Sequence, residues 1–335
     1  MSSQHTSMKV AYTICANNYL ASAKVLKESF TKHHPEIPLF IILVDKKDPA
    51  INYNNFYSDS ILFIDDIVEL DIDALSHKFS IAELCTTVKP FVFKYFFNKY
   101  DAVVYIDPDI KVYAPFTDCW EALKKYTFVL TPHLMNPVDD GKIPSDFYTL
   151  RTGIFNLGFL GLAKGEELER FLNWWGERLL VYGHTNWDKG MFYDQIWANY
   201  IPVMFNNYLI LKHYGYNVAN WNWHERTLTK SGGEWMVNEK YPLTFFHFSS
   251  YRYTAPLVLC NYNTRYNRFN RPDIAEVVDE YYADLKAAGA DAVRKSPAYY
   301  QAQHDVYELK MFAARPLKEK VRNRLSKMVE KYFSS

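Results

Sequence analysis

The stretch "VVYIDPDIKVY", residues 103–113, places two carboxylates at the point where an apolar run ends. The β-branched and apolar residues before Asp107 are typical of a buried strand, and a second short apolar run follows Asp109. Aspartate and proline are common in solvated turns, so a plain turn is one interpretation of this step. Two carboxylates one residue apart also suit Mn²⁺ or Mg²⁺, hard cations that bridge to phosphate oxygens. The surrounding sequence has to decide between a turn and a metal site.

Apolar runs alternate with helical patterns in the first third of the chain. Strands are predicted at 8–16, 39–45 and 102–106, and helices at 19–33 and about 80–99, the latter with Pro90 as a kink or a restart. This alternation predicts an α/β fold, a Rossmann-like doubly wound and mostly parallel sheet that binds ligands at the carboxyl ends of its strands. Ala16, Asn17 and Asp45 lie at such ends, as Asp107 does.

Composition excludes several classes of protein. The 335 residues carry 38 Lys plus Arg against 38 Asp plus Glu, so a globally basic nucleic-acid binder is not expected. The four cysteines form no C-x-x-C pair, which argues against zinc. The sequence contains neither G-x-G-x-x-G nor G-x-x-x-x-G-K-[ST], so any phosphate needs another device. With no apolar h-region in "MSSQHTS" and no run of ~18 apolar residues, we expect a cytoplasmic protein, or one peripheral to the inner face of the cell membrane.

Further polar residues stand inside apolar or aromatic segments. His247 in "FFHFSS" is either a core histidine or a third metal ligand, because two aspartates leave a divalent ion short of ligands. Asn156, beside Gly158 in an apolar strand, needs a hydrogen-bond partner, either a sugar hydroxyl or a backbone turn. Asp194 and Gln195 form either a helix cap or a pair that contacts a sugar. The segment "NWNWHER" is either a polar-aromatic loop or a sugar pocket made of Trp221, Trp223, His224, Glu225 and Arg226.

The order and spacing of these segments resemble a known family. The set is "YTICANNYLASAKVL", "IILVD", "VVYIDPDIKV", "FNLGFLGL", "YDQIWANY", "YNVANWNWHER" and "FFHFSSY". It resembles GT-A-fold nucleotide-sugar glycosyltransferases of the glycogenin and lipopolysaccharide galactosyltransferase type, and bacterial polysaccharide transferases. The resemblance covers residues 8–270, with a nucleotide-binding half at about 8–115 and an acceptor and sugar half at about 116–270. Residues 271–335 are expected to form a helical C-terminal region.

The resemblance implies a role for each matching residue. Asp107 and Asp109 would bind Mn²⁺ or Mg²⁺ and the donor diphosphate, and His247 would complete the metal shell. The nucleoside would be held by Thr13, Ala16, Asn17 and Asp45, the donor phosphate or sugar by Lys89, and the sugar by Asn156, Gly158, Asp194 and Gln195. Family members continue the late histidine as H-x-x-G-x-x-K-P-W. This chain lacks that glycine and lysine, and Arg252 is the candidate replacement.

The implied reaction is a metal-dependent transfer of a hexose-type sugar from a UDP-sugar, with retention of configuration. The acceptor would be a hydroxyl of a bacterial-type surface glycan or lipid-linked saccharide. A sugar-nucleotide-forming nucleotidyltransferase and a non-catalytic sugar-binding protein are the alternatives. Residues 316–333 form a basic amphipathic pattern, typical of a membrane-surface helix or of a helix docked on its own domain or on a second copy.

Overall fold

A computed structural model describes residues 7–314 of the chain. Its strands are β1 Lys9–Cys15, β2 Leu39–Leu43, β3 Ile61–Phe63, β4 Ala102–Ile106, β5 Ile110–Val112, β6 Phe128–Pro132, β7 Phe155–Ala163, β8 Tyr208–Ile210, β9 Leu228–Ser231, β10 Glu234–Val237, β11 Tyr241–Pro242 and β12 Phe245–His247. Its helices are α1 Leu20–His33, α2 Ile72–Lys78, α3 Ile81–Thr87, α4 Lys89–Phe97, α5 Thr117–Ala122, α6 Asp146–Thr152, α7 Leu168–Tyr182, α8 Ile201–Met204, α9 Pro272–Ala287, α10 Ala290–Val293 and α11 Tyr299–Ala314.

A seven-stranded central sheet has the order β3-β2-β1-β4-β7-β6-β8. Strand β1 pairs in parallel with β2 and β4, β2 with β3, and β6 with β8. Strand β7 alone runs antiparallel to its neighbours β4 and β6 in this sheet. The predicted α/β fold with a mostly parallel sheet is therefore confirmed, and the last segments of the described chain are helical as predicted.

The central strands are apolar because both faces of the sheet are covered. Every residue of β4 and of β7 is buried, which explains their nearly continuous apolar runs. Two apolar clusters of buried side chains form the core, one containing Leu26, Phe30 and Phe116 and the other Phe93 and Trp175. These packed layers hold the carboxyl end of β4 at a fixed place.

The segment predicted as one helix over 80–99 is two helices. Helix α3 ends at Thr87 and α4 begins at Lys89, with Pro90 in its first turn. Proline lacks the N–H that an uninterrupted helix needs, but the first turn of a helix does not use that N–H. The restart places Lys89 at the beginning of α4, where it is buried.

The C-terminal helices pack back onto the N-terminal half. Helix α11 contacts α2 and α3, and the Tyr299 backbone N–H donates to Asp45 Oδ1 at 2.8 Å. The amphipathic stretch 316–333 lies outside the described residues, so its predicted membrane contact stays a prediction. Within residues 7–314, every helix is too short or too polar to cross a bilayer.

Candidate functional site

Asp107, Asp109 and His247 converge at the carboxyl end of β4. The first two lie in the turn between β4 and β5, and His247 is brought opposite Ile110 because β12 pairs antiparallel with β5. His247 Nε2 lies 3.1 Å from Asp109 Oδ1 and 3.6 Å from Asp107 Oδ2. One ligand atom from each of the three side chains lies within 4.8 Å of the others.

The charges in this cluster suit a cation. Burial alone acts to lower the pKa of His247, but the carboxylates of Asp109 and Asp107 outweigh burial and raise it. The two carboxylates thus stabilise a positive charge in this cluster. Two carboxylate oxygens and one imidazole nitrogen are also a set of ligands that divalent cations accept. These three residues therefore fit a divalent metal ion.

Gly158 gives the cluster its space. It lies on β7, next to β4, and its carbonyl accepts the Asp107 backbone N–H at 2.7 Å. A Cβ at this position would lie 2.5 Å from Asp107 Oδ2, 2.5 Å from His247 Cε1 and 2.9 Å from Asn156 Oδ1. Only glycine leaves room for these three side chains to meet.

We expect Gly158→Ala to weaken Mn²⁺ binding strongly, because the methyl group displaces the Asp107 carboxylate and the His247 ring. Titration of free Mn²⁺ by EPR measures the effect. Gly161→Ala is the matched control on the same strand, since its Cβ would meet Cys119 Sγ at 3.1 Å in the apolar core. The control should lose about 1–3 kcal/mol of unfolding free energy through overpacking and keep its Mn²⁺ affinity. Equal Mn²⁺ affinity in both variants contradicts the prediction.

A buried ion pair lies beside the cluster. Lys89 Nζ is 2.8 Å from Asp194 Oδ2, and these side chains are 2% and 4% exposed. Lys89 also donates to the Leu157 carbonyl at 3.1 Å and lies 3.8 Å from Asp107 Oδ1. Burial raises the pKa of Asp194, and the Lys89 ammonium opposes that rise. The pair therefore links the cluster to the segment that carries Asp194 and Gln195.

Asn156 and Gln195 are already hydrogen-bonded within the protein. Gln195 Nε2 donates to the Thr152 carbonyl at 2.8 Å. The Asn156 amide lies between two imidazole rings, 3.3 Å from His133 Nε2 and 3.3 Å from His247 Nδ1. His133 was not among the predicted site residues. It comes directly after β6, as Asp107 comes directly after β4, and a polar residue at a strand end is the signal that could have identified it.

One cavity of about 570 Å³ collects most of the predicted site residues. Its lining includes Lys89, Asp107, Asp109, Asn156, Gly158, Asp194, Gln195, Trp221 and His247. Aromatic residues that were not predicted also line it, namely Tyr148, Trp187, Phe192, Tyr193 and Tyr262. A second cavity of about 260 Å³ shares Asp109 with the first and is lined by Arg252. Arg252 therefore lines a cavity that reaches Asp109.

The residues expected to hold a nucleoside lie outside the large cavity. Thr13 and Ala16 are buried along β1 and at its end. Asn17 donates its backbone N–H to Asp45 Oδ2 at 3.1 Å and its side-chain amide to the Lys46 carbonyl at 2.9 Å. Asp45 also accepts from Tyr299, so its carboxylate oxygens are engaged within the protein.

Among the five residues predicted to form a sugar pocket in "NWNWHER", Trp221 is the one that lines the cavity. Trp223 instead packs against Phe246 and Tyr266 in the core. His224 bonds the Asn136 carbonyl, Glu225 accepts from Met135 and Asn136 backbone N–H groups, and Arg226 donates to the Tyr216 carbonyl. These four side chains stabilise the loop instead of facing the cavity, because buried polar groups require partners within the protein.

No family model matches this sequence. An uncharacterized protein of Bacillus subtilis (strain 168), YfnF, is 24% identical over 290 residues, which cover 83% of this chain and 92% of that protein. Among solved structures, the galactosyltransferase LgtC in complex with donor and acceptor sugar analogs is 16% identical, covers 88% of this chain and 100% of that one, and has a TM-score of 0.48. The bifunctional glycosyltransferase WbbM is 13% identical, covers 86% of this chain and 53% of that one, and also has a TM-score of 0.48. Each of these two solved structures matches more than four fifths of this chain.

Proposed function

We propose that this protein is a metal-dependent glycosyltransferase that moves a sugar from a nucleoside-diphosphate sugar, a UDP-sugar by preference, to an acceptor hydroxyl. The observation that carries the proposal is the convergence of Asp107, Asp109 and His247 in one cavity with the buried Lys89–Asp194 pair. An anionic diphosphate needs positive charge, and the chain has no glycine-rich phosphate loop to supply it.

Each charged residue has a task in this reaction. Asp107, Asp109 and His247 hold Mn²⁺ or Mg²⁺, which when bound neutralises negative charge on the departing diphosphate. Lys89 brings its side-chain nitrogen into the cavity lining, 3.8 Å from Asp107 Oδ1 and 2.8 Å from Asp194 Oδ2. Since the cavity walls fix these groups in advance, they stabilise the leaving group without reorganising. Arg252, in the adjoining cavity, is the candidate cation for the rest of the diphosphate.

Aromatic side chains in the cavity support a sugar acceptor. Trp187, Tyr193 and Tyr262 line the same cavity as the cluster of two aspartates and a histidine, and Trp187 is 40% exposed. Aromatic faces pack against the apolar C–H surfaces of sugar rings, while Tyr hydroxyls and Trp N–H groups bond sugar hydroxyls. The proposed acceptor is a hydroxyl of a bacterial-type surface glycan or lipid-linked saccharide.

A donor panel tests the proposal. UDP-, GDP- and CDP-linked sugars are incubated with the protein, with and without Mn²⁺, and the nucleotide released by transfer of the sugar to water or to an added glycan is measured by chromatography. A parallel incubation contains a sugar phosphate and a nucleoside triphosphate. We expect Mn²⁺-dependent release of UDP. Release of pyrophosphate from a sugar phosphate and a nucleoside triphosphate would instead identify a nucleotidyltransferase, and donor binding without any release would identify a non-catalytic protein.

We expect the transfer to retain the anomeric configuration of the donor sugar. Asp194 and Gln195 line the same cavity as Asp107, Asp109 and His247, which supports a role for their carboxylate and amide beside the donor sugar. The anomeric proton signals in the NMR spectrum of the glycoside product, whose anomeric centre does not mutarotate, give its configuration. An inverted product contradicts the retaining assignment and leaves the transferase proposal to be judged by the donor panel.

A further inference from the structure

Three buried polar side chains form a line that ends at His247 of the carboxylate–histidine cluster. His133, Asn156 and His247 are 4%, 5% and 4% exposed. Asn156 Nδ2 lies 3.3 Å from His133 Nε2, and Asn156 Oδ1 lies 3.3 Å from His247 Nδ1. His247 then presents its other nitrogen, Nε2, to Asp109 at 3.1 Å. We propose that His133 is a positioning residue that acts through Asn156 to fix the tautomer and orientation of the metal-ligating His247.

The direction of the hydrogen bonds follows from the His133 end of the line. Burial lowers the pKa of His133 to about 3, so its ring is neutral, and Asn156 directs its NH₂ group to His133 Nε2 at 3.3 Å. With the ring proton on Nδ1, His133 Nε2 accepts from the Asn156 NH₂ group. The Asn156 oxygen therefore faces His247 and accepts from its Nδ1–H.

This direction of the hydrogen bonds leaves His247 Nε2 unprotonated and available to a metal ion. A neutral imidazole with its proton on Nδ1 has a lone pair on Nε2, the nitrogen that faces Asp107 and Asp109. If the Asn156 amide were reversed, its NH₂ group would face His247 Nδ1 and force the ring proton onto Nε2. Outer partners of a metal-ligating histidine commonly set its tautomer in this way.

Trp221 restricts the motion of both rings. Its indole lies edge-to-face against His133, with ring centroids 4.9 Å apart, and against His247, with centroids 5.2 Å apart. The Asn222 side chain donates to the His133 carbonyl at 3.0 Å and fixes the backbone there. Because these neighbours restrict both rings, the Asn156 amide bonds the two imidazoles at once.

The inference rests on the proposed metal site, and Mn²⁺ affinity tests it without turnover. His133→Phe keeps an aromatic ring but removes the acceptor, and we expect it to weaken Mn²⁺ binding about 10- to 100-fold, measured by EPR of the free ion. His133→Gln restores an oxygen acceptor near the Nε2 position, and its affinity should stay close to that of the wild type. In an Asn156→Ala background, His133→Phe should cause no further loss.

The outcomes separate two failures. If the wild-type protein does not bind Mn²⁺, the proposed metal site itself is wrong. If it binds Mn²⁺ and His133→Phe binds equally well, only the role of His133 is wrong. Should the Phe variant not fold, ¹⁵N NMR of the wild type still decides, since a neutral His133 with its proton on Nε2 would reverse the Asn156 amide and overturn the inference, and one with its proton on Nδ1 supports it.

Discussion

Asp109→Ala is expected to lower kcat/KM for Mn²⁺-dependent transfer by about 10³-fold or more, equivalent to about 4 kcal/mol of transition-state stabilisation. Asp109 supplies the oxygen 3.1 Å from His247 Nε2, so its removal leaves the cation with one carboxylate. Steady-state rates over a range of Mn²⁺ concentrations measure the effect. Because Asp109 is partly exposed at its turn, the fold should survive the substitution.

Two control variants make this result specific. Asp109→Asn keeps the shape of the side chain but removes its charge, and it should lose most of the activity as well. Asp66→Asn makes the same chemical change at an exposed position outside the turn at residues 107–109. Its Mn²⁺-dependent activity should equal that of the wild type. Full Mn²⁺-dependent activity in Asp109→Ala would refute the metal site.

Lys89→Met should lower the free energy of unfolding by about 3–5 kcal/mol, because it leaves the Asp194 carboxylate buried without its partner. Methionine keeps most of the length of the lysine chain, so the loss reports charge more than volume. Lys164→Met is the matched control. Lys164 pairs with Asp101 at 3.2 Å, but both side chains are about half exposed, and the expected cost is below about 1 kcal/mol. Urea denaturation of both variants measures the difference.

The loss in Lys89→Met should depend on pH in a defined direction. Burial already raises the pKa of Asp194, and without Lys89 the folded-state pKa rises further. The folded protein then binds a proton that the unfolded chain lacks, so stability decreases as the pH rises through the folded-state pKa. The variant should therefore approach wild-type stability in acid, and Lys89→Met/Asp194→Asn should recover part of the loss at neutral pH. A loss that does not change with pH would show that Asp194 is not its cause.

The turn at residues 107–109 was predictable because its signals are local. An apolar strand followed by two carboxylates marks a strand end, and the βαβ pattern places such ends at one edge of the sheet. The participation of His247 depends on β12 pairing with β5, which no local pattern specifies. The family resemblance predicted that His247 joins Asp107 and Asp109, whereas the composition of the chain does not predict this contact.

Tertiary contacts that the sequence does not reveal surround several of the predicted site residues. The composition of "NWNWHER" fits a sugar pocket and a structural loop equally well, and only the positions of Tyr216, Met135, Asn136 and Phe246 show that four of its side chains have partners within the protein. Asp45, which follows β2, is a second example. Its position after an apolar strand predicts a ligand contact, but the sequence does not reveal that the distant Tyr299 donates its backbone N–H to this carboxylate.

The bond between Tyr299 and Asp45 has a consequence for biosynthesis, since it joins residues 254 positions apart. At synthesis rates of about 5–20 residues per second, Asp45 leaves the ribosome roughly 13 to 50 s before its partner. The N-terminal strands can fold in that interval. At the carboxyl end of β2, however, the Asp45 carboxylate still lacks the N–H of Tyr299. The sheet edge is therefore completed last, and a chain arrested before residue 299 should carry a nearly complete core with an unfinished rim.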